Sequence, residues 1–529
     1  MTSILAEIYK NPFKLLLFLI VIFYIIMYMP YGFEDGDMGS IMGISWSMYN
    51  GYFPHRDFVY IKPAMSPYFH SLPLYISETY GYLINRIGYF LQVFFYSFLA
   101  IRLLCRVFEI PSKRILYFIT IIGALISIHN YPPTPWNTID GLFFSVIGIT
   151  LLFKATTKWY YILGAAFFIS LGVLCKQSFY FVPVFVTFYL LFKRQFKKTG
   201  MFASFGLLLA GLYLTILFMN DALDPFMEQM FSFTSGSSLY YTGFKTYAIA
   251  VKVNLIYIVP AGILFYALKK YVNRHFAFFV LMVIIASVFI YLYLHEDSYH
   301  TVKRSIMQIL FVATCGFATI LCYKDEKYLF LLLLLSLSWC ASISNGFNTP
   351  IDFSAPIIFA FFMVSYRDNF SFKNSVGYGV VLLFLVTFYI GYQTPYMDSK
   401  RSELTYEMGN VFKQLSGIKS DKETYEKYNE LKNLANRFDN FTILPSVTLG
   451  HYLTNTKNPI GVDWVFDHHL ANQLPEYIWK LENENITVFM ENFENHVNDY
   501  EETSDLTMYV KAHWKLMETH DNFRIYQKP

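Results

Sequence analysis

The positions of apolar and polar residues divide the chain in two. Long apolar runs stand at residues 13–29, 84–104, 115–129, 139–153, 159–174, 178–192, 201–219, 248–268, 275–294, 305–323, 328–344, 351–366 and 375–393. A helix crosses a hydrocarbon core of about 30 Å with about 17 to 25 mostly apolar residues, so these runs predict about thirteen transmembrane helices. Several runs are short for a span, and 159–174 and 178–192 also read as one element split in two. From residue 394 the pattern changes. Charged residues are frequent from Lys400 to Arg437, with helical periodicity in "SELTYEMGNVFKQL" and "DKETYEKYNELKNLANRF". Short β-type runs follow, "FTILP" at 441–445, "ITVFM" at 486–490 and "FRIYQ" at 523–527, separated by helix-like stretches. The predicted organisation is a membrane body over residues 1–393 and a small α/β domain over 394–529, with no internal repeat.

Composition agrees. Of 529 residues 55% are hydrophobic and only 15% charged, and the mean hydropathy is +0.37. A soluble domain carries about a quarter of its residues as charges. Orientation follows from the loops, because short cytoplasmic loops collect Lys and Arg. With the N-terminus in the cytoplasm, the inner segments hold eighteen: Lys10, Lys14, Arg106, Lys113, Arg114, Lys154, Lys158, Lys193, Arg194, Lys197, Lys198, Lys269, Lys270, Arg274, Lys324, Lys327, Arg367 and Lys373. The short outer loops hold four, Lys176, Lys245, Lys303 and Arg304. The expected location is a multi-pass cell (inner) membrane, with the C-terminal domain outside the cytoplasm. The net charge of +3 is then a topological signal and implies no nucleic-acid partner. The first run shows no small-residue cleavage site and is expected to remain as a spanning helix. The five cysteines, Cys105, Cys175, Cys315, Cys322 and Cys340, lie in or beside predicted helices and imply no disulfide framework.

The chain leaves its first apolar run with "YMPYGFEDGDMGSIMG", which sets Glu34, Asp35 and Asp37 within four positions at a membrane exit. The loop they open runs to about residue 83, longer than a plain connection needs. Residues 38–50 have the spacing of a helix lying in the interface plane. Asp35 or Asp37 could cap that helix. Carboxylates at the edge of a low-dielectric medium are costly and point to function, as a general base on a hydroxyl or, for Asp-Gly-Asp, as ligands of a divalent cation. In "DHHL" at 467–470, His468 and His469 are adjacent, point to different sides, and are poorly placed to chelate one ion.

The loop as a whole resembles the first outer loop of the GT-C superfamily of integral-membrane glycosyltransferases, which includes protein O-mannosyltransferases and the aminoarabinose transferase of lipid A. The matching residues are Asp37, Gly39, Gly51, Pro54, His55, Arg56, Asp57, Phe58, Pro63, Pro67 and Tyr68, with His55 where an aromatic is commoner. "YPPTPWNTIDGLFFSVIG" and "LGVLCKQSFYFVPV" are similar to the next outer loop and to a Lys-bearing helix break of that group. The resemblance implies a GT-C type fold and transfer of a sugar from a polyprenyl-phosphate-linked donor to an extracytoplasmic acceptor, which is a glycan, lipid or protein. It assigns the base to Asp37, with Asp35 the close competitor.

The departing lipid phosphate needs a cation. Lys176 stands in "CKQ" with no other charge near, where an unpaired cation is expensive. Lys303 and Arg304, after His300, serve either phosphate or headgroup snorkelling, and Lys62 is a further candidate. Glu34, Arg56 and Asp57 complete the expected substrate-binding set. No cofactor is firmly implied beyond the divalent cation that Asp35 and Asp37 could hold. A polytopic transporter or lipid-linked-sugar flippase is the alternative, and it predicts ionisable residues in mid-helix and broken helices near the bilayer centre. A non-catalytic scaffold is a third reading, disfavoured by the long aromatic loop.

Overall fold

The computed structural model describes residues 12–33, 36, 39–110, 113–128, 134–154, 158–232, 236–295, 299–343, 375–394, 399–465, 470, 473–492 and 504–529. A helix stands at every predicted span except 351–366, which lies outside the described residues. In chain order these are α1 (Pro12–Tyr28), α2 (Ser40–Tyr49), α3 (Met65–Ile76), α4 (Gly81–Val107), α5 (Lys113–Ile128), α6 (Asn137–Lys154), α7 (Tyr160–Val173), α8 (Phe181–Phe192) and α9 (Phe196–Met219). After them come α10 (Leu223–Met227), α11 (Gly236–Val253), α12 (Leu255–Tyr271), α13 (Arg274–Leu294), α14 (Tyr299–Cys322), α15 (Lys327–Ser342) and α16 (Ser375–Gln393). Five described helices are long and apolar enough to cross a membrane by themselves, or six if one bent pair is a single span. The chain is a membrane protein. α9 shows why, burying only Thr199, Phe202 and Leu217 while Leu207, Phe218 and Met219 stand bare.

Small residues let the centre of the bundle close up. A Cβ on Gly148 of α6 would come within 2.8 Å of the Ala165 carbonyl oxygen on α7, and one on Gly172 of α7 within 2.7 Å of Ser145 Oγ on α6. Close approach through small residues drives association in lipid, where apolar surface alone gives no preference for a neighbouring helix. The predicted span 248–268 is broken. α11 and α12 meet at Asn254 with a 61° bend, where the Asn254 side-chain amide donates to the Ala250 carbonyl at 2.7 Å and competes with the helical ladder.

After residue 399 the chain forms a four-stranded sheet of β3 (Phe441–Leu444), β4 (Thr487–Glu491), β6 (Phe523–Gln527) and β5 (Lys515–Thr519), in that order. β3 and β4 run parallel, and β4–β6 and β6–β5 antiparallel. All three predicted strands are present, and the hairpin partner β5 is added. Period-two alternation covers both faces. Phe441, Ile443, Phe489, Phe523 and Ile525 pack under α17 (Lys422–Ala435). Leu444, Val488, Met490 and Tyr526 pack with Tyr477 and Leu481 of α19 (Leu474–Asn483) and Leu506 and Val510 of α20 (Asp505–His513), while α18 (Gly450–Leu453) follows β3. The helix expected in "SELTYEMGNVFKQL" is not there. Met408, Val411, Phe412 and Leu415 are buried at helical spacing, but two 3₁₀ turns, Met408–Asn410 and Lys413–Leu415, present them between the paired short strands β1 (Tyr406–Glu407) and β2 (Lys419–Ser420). Gly409 sits where a Cβ would lie 2.9 Å from Ser416 Cα, an approach that a continuous helix does not make.

This region shares one core with the 30–83 loop: Phe33, Met42, Trp46, Leu74 and Tyr82 pack with Tyr428, Leu431, Phe441 and Phe489. α2 therefore lies against protein on its apolar side and not in the membrane interface, with Trp46 Nε1 donating to the Thr456 carbonyl at 2.8 Å. Asp35 and Asp37, the expected caps, lie outside the described residues. Its N-cap is Gly39, without a side-chain bond, and the Gly36 carbonyl accepts from the Gly39 and Ser40 amides. Gly43 makes the docking possible, since a Cβ there would stand 2.2 Å from the Thr448 carbonyl oxygen. Gly43→Ala is expected to cost about 1–3 kcal/mol by overpacking and to expose the C-terminal region to limited proteolysis in liposomes. Gly200→Ala, with open space around it, is the control; equal digestion of the two variants contradicts the docking.

Candidate active site

Three segments close a cleft between the loop and the C-terminal region. α2 contributes Ser40, Ile41, Ile44 and Ser47, the extended stretch after Asp57 contributes Phe58 to Lys62, and the C-terminal region contributes Thr448 and Gly461 to Trp464. Helical spacing puts the four α2 residues on one side. The extended stretch is fixed by polar side chains from other elements. Tyr60 Oη accepts from Asn137 Nδ2 at 3.0 Å, and Gln229 Oε1 accepts from the Tyr60 amide at 3.1 Å and lies 2.8 Å from His55 Nδ1. The Gln229 amide donates back to the His55 carbonyl at 3.0 Å, so the Gln229 oxygen is the acceptor and His55 carries its proton on Nδ1. Burial holds His55 down at about 4, a neutral ring. Gln177 Nε2 donates to the Ile61 carbonyl, and the Met65 amide to Leu174 at 3.0 Å.

Glu34, Asp35 and Asp37 lie outside the described residues. The chain on both sides of them is held by the C-terminal region. The Lys419 amide donates to the Pro30 carbonyl at 2.6 Å, the Lys419 carbonyl accepts from Gly32 at 3.0 Å, and Thr448 Oγ1 donates to the Gly36 carbonyl at 3.2 Å. From the bundle side, buried Arg86 of α4 donates to the carbonyls of Met29, Tyr31 and Gly32. Charge-assisted bonds contribute about 1.5–3 kcal/mol each and a buried guanidinium costs several to desolvate. The two nearly offset, so what Arg86 contributes is position.

Of the other expected site residues, Lys62 lines the cleft. Arg56 and Asp57 pair with each other, Nε to Oδ1 at 2.7 Å and Nη2 to Oδ2 at 2.8 Å, and Asp57 Oδ2 also accepts from the Phe53 amide. Arg56 draws Asp57 below the usual carboxylate range. They brace the loop. Lys176, one residue before a 3₁₀ turn, donates to Thr138 Oγ1 at 3.2 Å, its turn seated by Phe179 against Gly141. His300 lies in the first turn of α14, and Lys303, buried, and Arg304, half-buried, follow. Neither Lys303 nor Arg304 lines the cleft. His468 and His469 lie outside the described residues.

Below the loop is a polar cluster that sequence reading passed over. His70 of α3 sets Nε2 2.9 Å from Asp140 Oδ2 on α6 and Nδ1 2.8 Å from Asn85 Oδ1 on α4. Asn85 Nδ2 donates to the His70 carbonyl at 3.0 Å, so Oδ1 is the amide's acceptor and Nδ1 must carry a proton. Nε2 faces a carboxylate that also accepts from Gln92 at 2.7 Å. Both nitrogens donate, and the pair is imidazolium and carboxylate. Burial opposes the charge, but the Asp140 charge and the bonds to Asp140 and Asn85 outweigh it and raise the His70 pKa. The signal was an acid in the first turn of a spanning helix, hidden inside the quoted "NTIDGLFF".

No protein-family model and no curated protein matches the sequence. Among solved structures, the Archaeoglobus fulgidus oligosaccharyltransferase tethered to an acceptor peptide containing the NVT sequon aligns with 99% of this chain and 75% of its own, at TM-score 0.51 and 10% identity. The oligosaccharyltransferase AglB of the same organism, with an inhibitory peptide and a dolichol-phosphate, aligns over the same shares at TM-score 0.49 and 11% identity. ArnT from Cupriavidus metallidurans in the apo state aligns with 98% of both chains at TM-score 0.45 and 10% identity. The first of these likenesses gives the fold alone: this chain is folded like that oligosaccharyltransferase.

Proposed function

We propose that this chain, built on the GT-C fold, moves a sugar from a polyprenyl-phosphate carrier to an extracytoplasmic acceptor. In the step, an acceptor hydroxyl oxygen bonds to the anomeric carbon, the bond from that carbon to the phosphate oxygen breaks, and the lipid phosphate leaves with the electron pair. Asp37, or Asp35 two residues away, takes the hydroxyl proton. The observation that carries this reading is the cleft. It is lined by aliphatic, aromatic and hydroxyl-bearing residues, holds Lys62, and lies beside Gly36, the residue between those two acids. Lys62 and Lys176 are the cations assigned to the phosphate.

The test is sugar transfer by the purified protein in proteoliposomes, from undecaprenyl-phosphate-linked sugars to cell-envelope extracts. Lys176→Ala should raise the apparent KM for the lipid donor about ten- to a hundredfold, the range of one charge-assisted bond, with the protein still folded. An unchanged KM removes Lys176 from the phosphate site. The bend at Asn254 is the feature that a transporter would have. However, α12 beyond it buries no residue, so the break builds no site, and transport of labelled lipid-linked sugar without transfer would favour that alternative.

A further inference from the structure

Asp463 is the carboxylate that the C-terminal region brings into the cleft. It lies deep in the molecule yet keeps accessible surface, because it lines the opening. Its orientation is set by a buried amide. Asn458 Nδ2 donates to Asp463 Oδ1 at 2.8 Å and to the Val462 carbonyl at 2.7 Å, while Asn458 Oδ1 accepts from Thr442 Oγ1 at 3.1 Å and from the Ile460 amide at 3.1 Å. The turn that delivers it needs Gly461, whose φ of +78° and 3.0 Å approach to the Asp57 carbonyl oxygen leave no room for a side chain. Oδ2 points toward α2, 3.4 Å from where a Gly43 Cβ would stand. Among the described residues it accepts no hydrogen bond. Around it are the hydroxyl-bearing Ser40, Ser47 and Thr448, and the rings of Tyr60 and Trp464 also line the space.

We propose that Asp463 Oδ2 reads the hydroxyls of a pyranose in this cleft, with Trp464 offering the flat surface against which a sugar ring lies. The inference rests on the glycosyltransferase reading and adds which end of the chain selects the sugar. A pre-oriented carboxylate oxygen left open in a confined space suits a hydroxyl donor, because charge-assisted hydrogen bonds are the short, strong ones and a site built to bond a hydroxyl rejects a ligand lacking it. Burial pushes the carboxyl up to about 6, so it is ionised at neutral pH and its open oxygen is an acceptor there. The hydroxyls could belong to the donor sugar or to a sugar acceptor, and the experiment separates them.

Full-length protein in nanodiscs is titrated with undecaprenyl phosphate, with undecaprenyl-phosphate-linked mannose, glucose, galactose and arabinose, and with the free methyl glycosides of these sugars. The parent should bind at least one sugar-bearing ligand more tightly than its sugar-free counterpart or than the other glycosides. Asp463→Asn and Asp463→Ala should weaken that ligand about ten- to a hundredfold, leave undecaprenyl phosphate unchanged, and melt as the parent does. A loss confined to lipid-linked sugars places the donor against Asp463, and a loss confined to methyl glycosides places the acceptor there. An equal loss with undecaprenyl phosphate, or no loss with any sugar, overturns the inference. If the parent binds undecaprenyl phosphate but discriminates among no sugars, the inference falls and the carrier reading stands; if it binds none of these lipids, both fall.

Discussion

Replacing Asp37 by Asn is expected to slow sugar transfer by about 10²- to 10⁴-fold, the range for losing a general base. The amide keeps the size and most of the hydrogen bonding of the acid but takes no proton at neutral pH. A disturbed fold is an unsuitable explanation for such a loss, since the chain before it is held at Gly32 by Lys419 and at Gly36 by Thr448, and the chain after it by the packing of Gly43 on Thr448. Asp35→Asn should cost less if Asp35 only tunes its neighbour or holds a cation, and in the latter case activity responds to chelators. Glu34→Gln should be close to neutral. Transfer is measured for the three variants at equal protein level, with and without chelator. Near-normal rates in both Asp variants would end the claim that this cluster is catalytic, whereas a larger loss at Asp35 than at Asp37 moves the base by two residues.

The second large effect is expected where no substrate reaches. Breaking a buried ion pair by removing one partner costs about 3–5 kcal/mol, and His70 and Asp140 are 2% and 0% exposed. The two deletions should differ. Once His70 is Leu, a buried carboxylate is left without its charged partner, whereas an imidazolium stranded by Asp140→Leu sheds its charge readily near neutral pH. His70→Leu is thus the worse variant. The double variant should cost less than the sum of the two, as coupled neighbours do. The pH dependence has a definite sign: a pKa raised in the folded state stabilises fully below about 6.5, and that contribution is lost as pH rises through the folded value. Melting of the four proteins at pH 6 and pH 9 tests this. Additive single-variant costs, or a parent with the same stability margin over the double variant at both pH values, would rule out the charged pair.

What could be read from sequence was whatever repeats locally. Apolar run length located α4, α9 and α13, and period-two alternation located β3, β4 and β6, because each pattern is written in consecutive residues. The 38–50 helix was visible for the same reason, yet its surroundings were misjudged: a Met- and Trp-bearing face suits a membrane interface and a protein core equally, and only the sheet on the far side of Gly43 decides between them. "SELTYEMGNVFKQL" fails more instructively, since its apolar residues are buried at the spacing of a helix while two tight turns do the presenting. The candidate site was half legible. Lys62 and the acid cluster announce themselves in one loop, whereas His70 with Asp140, and Asp463 with Gly43, are pairs separated by tens to hundreds of positions, and a single sequence carries no record of such partners.

The clamps on the acid cluster have a consequence in time. Residues 30–36 leave the ribosome well before the C-terminal groups that clamp them, at 419 and 448. Domains fold as they are made, from the N-terminal side first. The helical bundle is therefore in the membrane, with Arg86 already on the loop but the clamps at 419 and 448 still missing. A chain interrupted anywhere before β3 inserts as a membrane protein with an unfinished cleft. On the function proposed above, sugar transfer waits until Thr448 and Asp463 have closed the cleft.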